Sequence, residues 1–78
     1  MKKPHKHHYE FSFRKGNYRD VSDTLLDMYP KLFMGSGIFL LDGSYDVGFT
    51  CTAAQARNIS RYIARNLPKA KMVRIKLT

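Results

Sequence analysis

From Tyr9 to Arg14 the chain alternates apolar and polar residues, Tyr-Glu-Phe-Ser-Phe-Arg, the period-two mark of a strand with one buried face. Gly16 and Asn17 close it. Asp20 or Ser22 can cap a following helix, in which Val21, Leu25, Met28 and Leu32 recur at helical spacing. Pro30 removes a backbone donor and crowds the carbonyl four residues earlier, which predicts a kink or a stop near Met28. Gly35-Ser36-Gly37 then breaks the pattern. Two apolar runs, Ile38–Leu41 and Tyr45–Cys51, flank Asp42-Gly43-Ser44 and predict a β-hairpin. Either Asp42-Gly43 or Gly43-Ser44 can form its turn. Thr50 or Thr52 caps a second helix running to about Leu67, with Ala56, Ile59, Ile63 and Leu67 as its apolar stripe and Pro68 ending it. Met72–Leu77 alternates again, with Val73, Ile75 and Leu77 on one face.

The element order is therefore β-α-β-β-α-β. It predicts an α+β, ferredoxin-like sandwich, with a four-stranded antiparallel sheet and two helices on one face. Parity places Tyr9, Phe11, Phe13, Tyr45, Val47, Phe49, Val73, Ile75 and Leu77 under the helices. Glu10, Ser12, Arg14, Asp46, Gly48, Thr50, Arg74 and Lys76 fall on the open face. RNA-recognition modules share this topology but stack bases on aromatics of the two central strands. Here those positions are Glu10, Ser12, Asp46 and Gly48, which cannot stack a base. In the Ile38–Leu41 strand, Ile38 and Leu40 go inward and leave Phe39 and Leu41 on the open face of an edge strand. Phe39 and Leu41 are thus a candidate protein interface, and a homodimer through Ile38–Leu41 would cover them.

Length sets the scale. Seventy-eight residues form one domain with a thin core, too small for separate cofactor and substrate domains. Residues 1–7 read as a basic flexible tail and 8–78 as the domain. The longest aliphatic or aromatic run, Ile38–Leu41, is far short of the roughly 18–20 residues of a membrane span. No apolar segment follows the basic N-terminus as in a secretory signal. Cys51 is the single cysteine and has no internal partner, so the expected location is cytoplasmic.

Charge changes the picture most. The chain carries 14 Lys/Arg against 6 Asp/Glu, a net charge of +8. Residues 20–50 hold five acids (Asp20, Asp23, Asp27, Asp42, Asp46) against Lys31. Residues 51–78 hold Arg57, Arg61, Arg65, Lys69, Lys71, Arg74 and Lys76 with no acid. An acid-free, seven-cation segment favours a polyanion or an acidic protein face. Arg57, Arg61 and Arg65 fall on one line of the second helix, opposite its apolar stripe, and span about 12 Å at 1.5 Å per residue. Planar guanidiniums at that spacing suit successive phosphates. Two blander readings compete: a solvated helix face, or pairing of the arginines with Asp20, Asp23 and Asp27 across the helix layer.

Catalytic chemistry is not legible. His5, His7 and His8 lie close together, but without further fixed ligands they read as a solvated tail. Cys51 has inward parity and no neighbouring base, so it reads as a buried hydrophobe. Arg14–Arg19 is a basic loop at a helix start, a place where phosphate can bind. Acylphosphatases use such a loop on this fold, but their loop pattern is not matched, and Asp20 and Asp23 compete for the same donors. The sequence thus predicts no enzyme and no cofactor. It points to a module that binds nucleic acid through Arg57, Arg61, Arg65, Lys69, Lys71, Arg74 and Lys76 with little sequence preference. The alternative is a small inhibitor or adaptor of a nucleic-acid-handling complex. In size and charge layout the chain resembles compact phage and mobile-element accessory proteins such as anti-CRISPR proteins.

Overall fold

The computed structural model describes residues 5–39 and 41–77. In chain order its elements are β1 (His7–Phe13), α1 (Tyr18–Met28), β2 (Phe33–Ile38), β3 (Tyr45–Cys51), α2 (Ala53–Asn66), a 3-10 turn (Pro68–Ala70) and β4 (Met72–Leu77). The four strands form one antiparallel sheet in the order β2-β3-β1-β4. Val21 and Leu25 of α1 and Ala56, Ile59 and Ile63 of α2 share one buried cluster with Phe11, Phe13, Tyr45, Val47, Phe49 and Cys51. Both helices therefore cover the same sheet face, and the fold is the ferredoxin-like sandwich.

Local chemistry explains the helix boundaries. The α1 cap is Asn17, not Asp20 or Ser22: its side-chain oxygen accepts from the Asp20 N–H at 3.1 Å. Ser22 instead faces inward, its hydroxyl 2.9 Å from that of Ser36. The helix stops at Met28, as Pro30 requires. Met28 is half exposed, so the inward stripe of α1 is Val21, Ser22 and Leu25. Thr52 starts α2 with a reciprocal capping box: its hydroxyl accepts from the Gln55 N–H, and the Gln55 side chain accepts from the Thr52 N–H. Thr52→Ala should cost about 1 kcal/mol. Thermal denaturation should then show a midpoint roughly 4–8 °C lower.

Three parts of the sheet differ from expectation. First, β1 begins at His7, so His7 and His8 belong to the sheet and not to a tail. Second, the edge strand is Phe33–Ile38, not Ile38–Leu41. Gly35-Ser36-Gly37 is strand because β3 pairs with it, and the Ser36 hydroxyl is held by Tyr18 and Ser22 of α1. Phe39 and Leu41 therefore lie in the hairpin loop, and Leu40 falls outside the described residues. Ile38 sits opposite Tyr45 with the expected parity but is 45% exposed at the sheet's edge. The loop closes through Phe39 N–H to Ser44 O at 2.7 Å and Gly43 N–H to Phe39 O at 2.8 Å. Only Gly43 of the Asp42-Gly43 pair has positive φ, so the turn is not type I′.

Third, β4 is poorly covered. A register shift at Ser12/Phe13 sets Met72 opposite Phe13 and leaves Val73 as the extra residue, at 55% exposure. Ile75 and Leu77 keep their parity opposite Phe11 and Tyr9 but are 43% and 56% exposed. The α2 side chains that share a cleft with Ile75 include Ala53, Ala56 and Ser60, too short to close it. Phe11, Phe13, Tyr45, Val47 and Phe49 are fully buried as parity predicts, and Tyr9 is half-buried. Gly16, at φ +84°, lets the chain leave β1: a Cβ there would sit 3.0 Å from the Ala70 Cα.

Candidate nucleic-acid interface

The helix layer is divided laterally by charge. α1 lies on the β2 side, tied to it through Tyr18, Ser22 and Ser36, and exposes Asp20, Asp23 and Asp27. α2 lies on the β4 side and exposes Arg57, Arg61 and Arg65. The stripe points away from the core because Ala56, Ile59 and Ile63 fill the opposite side of the same helix. Among the described residues, the only ion pair within 4 Å is His8 Nε2 to Glu10 Oε1 at 3.4 Å. The three arginines thus do not pair with the aspartates of α1.

The seven cations do not form one flat patch. Arg57 and Arg61 border a cleft of about 380 Å³ with Tyr9, Ser60 and Ile75, between α2 and β4. Lys71, exposed and left-handed at φ +48°, borders a second cleft of about 300 Å³ with Ile63, Leu67 and Met72. Lys69 is exposed on the 3-10 turn that joins α2 to β4. Arg74 and Lys76 lie across the β4 edge on the open face, opposite Ser12 and Glu10 of β1. The arrangement is a basic band that wraps one edge of the sandwich, from the outer side of α2 around β4.

The open face behind that band is mixed in charge. A depression of about 810 Å³ there is lined by Ser12, Arg14, Phe39, Leu41, Asp46, Val73 and Arg74, among others. Two hydrogen bonds from Ser44, through its hydroxyl at 2.6 Å and its N–H at 2.9 Å, hold the Asp42 carboxyl below its usual range. The charge of Arg14 adds to the effect. His8 was invisible to a strand begun at Tyr9. Its ring lies over Gly48, where a Cβ would come 3.0 Å from His8 Cε1. Two more residues of period-two parity upstream of Tyr9 are the signal that would have found it.

Burial pushes the Cys51 thiol up, away from the thiolate a nucleophile needs. Among the described residues no three His, Cys, Asp or Glu side chains are grouped to hold a metal ion. No helix of the described chain is long and apolar enough to cross a membrane. Asn17, by capping α1, occupies a donor that the Arg14–Arg19 loop would have offered to a phosphate. The class this geometry defines is a small α+β sandwich with one basic edge. Comparison with protein-family models, curated proteins and solved structures found no match.

Proposed function

We propose that this protein is a non-catalytic, cytoplasmic module that binds nucleic acid along its α2/β4 edge, through phosphate contacts and with little sequence preference. One observation carries the reading: Arg57, Arg61 and Arg65 are exposed in a row, and no acid among the described residues pairs with them. An arginine row with no paired acid keeps its N–H donors free and its field uncancelled, both of which favour a polyanion. The row spans about 12 Å of helix, against roughly 3.4 Å of duplex axis per phosphate of one strand. Lys69, Lys71, Arg74 and Lys76 extend the same field around the edge.

The test is a salt series by fluorescence anisotropy. With four to seven of these cations on duplex phosphates, log K should fall against log salt with a slope of about −4 to −6. A random oligonucleotide should compete almost as well as any chosen sequence. Salt-independent affinity, or no binding at low salt, refutes the reading. An acidic face on a nucleic-acid-handling protein is then the partner that the same band would fit.

A further inference from the structure

β2 is the other edge of the sheet, and it is built unlike β4. From Leu32 to Leu41 no residue carries a charge, while Met34, Ile38, Phe39 and Leu41 are exposed around the strand. Free edges are ordinarily blunted by lysine, proline or inward charge. β2 has none of these; its one protective feature is a bulge, the register shift between Phe33 and Gly35, which lies before the Ser36–Ile38 stretch. The Phe39 N–H bond to Ser44 O fixes the antiparallel alternation. Gly35 and Gly37 turn their backbone groups toward β3, and Ser36 and Ile38 turn theirs outward. We propose that β2 pairs antiparallel with β2 of a second copy, about a two-fold axis through Gly37. Ser36 then lies opposite the partner subunit's Ile38, and the dimer carries one eight-stranded sheet.

Symmetry and charge select a second copy as the occupant. Each strand presents two outward N–H and two outward C=O groups, the set its two-fold mate needs, so four hydrogen bonds form. A chain of net charge +8 repels itself, and β4, with Arg74 and Lys76, cannot self-pair. β2 lies three strand spacings from β4, about 14 Å, beyond the roughly 8–10 Å screening length of physiological salt. The flanking segment 17–31 carries Arg19 and Lys31 against Asp20, Asp23 and Asp27, net −1, so the approaching surfaces are nearly neutral. An acidic partner would find no cation on β2 to pair with. The pairing leaves both basic edges at the outer ends of the sheet, both helix layers on one face, and the polyanion site of each copy open.

Sedimentation of the full chain over a concentration series should show a monomer–dimer equilibrium. Ile38→Pro removes one outward N–H that the protomer does not use, and Pro is tolerated at such edge positions. It should weaken the dimer at least tenfold with an unchanged circular dichroism spectrum. Phe39→Lys, in the exposed loop, should weaken it as well and leaves the strand backbone intact. Gly37→Cys gives the register: the two Cα atoms of a non-hydrogen-bonded pair lie about 4.5 Å apart, within disulfide reach. Oxidised Gly37→Cys should run as a covalent dimer, with buried Cys51 remaining a thiol. A monomer at every concentration overturns the proposal. So does a dimer indifferent to both edge variants, or one that Gly37→Cys does not cross-link. None of these outcomes bears on the salt slope, which tests the nucleic-acid reading alone.

Discussion

Arg57→Glu/Arg61→Glu/Arg65→Glu is expected to lose two to three orders of magnitude in nucleic-acid affinity while folding normally. At a slope of about −0.9 per phosphate contact, each contact is worth about eightfold at 0.1 M salt, so three removed contacts amount to roughly 500-fold. The salt slope should fall by about three, and sequence preference should not change, since phosphate contacts position without specifying. Folding should be spared because all three side chains are exposed and pair with no acid among the described residues. Surface changes of this kind usually stay within about 0.5 kcal/mol each. Arg65 stands in the last turn of α2, so its replacement by an acid adds a small unfavourable interaction with the helix dipole. Circular dichroism separates the outcomes. A triple variant that unfolds would make the stripe structural. One that folds and binds with unchanged affinity and slope would move the interface elsewhere on the molecule.

Phe49→Ala is expected to unfold most of the protein near body temperature. Phe49 is fully buried on β3, and its ring meets Phe11, Tyr29 and Phe33 edge-on at centroid distances of 5.6, 6.1 and 6.0 Å. It therefore joins β1, the end of α1, β2 and β3 at one point. Truncation costs about 3–5 kcal/mol in lost burial and cavity. At about 0.05–0.15 kcal/mol per residue, a domain of this length has only about 4–12 kcal/mol in total. The thermal midpoint should drop by roughly 15–30 °C. Leu41→Ala is the matched control: Leu41 is fully exposed in the protomer and, at concentrations where the protein is monomeric, should leave the midpoint unchanged. Equal shifts in the two variants would mean that the hairpin loop packs on the domain in solution.

The central strands were readable because alternation is a local signal with one buried face. Phe11, Phe13, Tyr45, Val47 and Phe49 are all at 0–1% exposure on the face parity chose. The same reasoning failed at both edges, where parity has less to enforce it. At β4 one extra residue, Val73, shifts the register and sends an apolar side chain to the open face. At β2 two glycines read as a break, although β3 supplies the hydrogen bonds that hold them extended. The basic stripe was legible from helical spacing alone. That Arg57 and Arg61 border a cleft with Ile75, and that Arg74 and Lys76 lie around the β4 edge from them, was not.

By itself, then, the sequence determined the element order, the identity of the central core and the segregation of charge along the chain. Each depends on residues close in sequence: a period of two or 3.6, a cap three residues from its donor, a run without acids. The tertiary structure decided which strand forms the uncharged edge and which cations share a surface. It also decided whether the aspartates of α1 neutralise the arginines of α2. Those outcomes depend on pairings across tens of residues, such as Ser36 with Tyr18 and Ser22 or Gly35 with Gly48, in which backbone hydrogen bonding and packing override local preference.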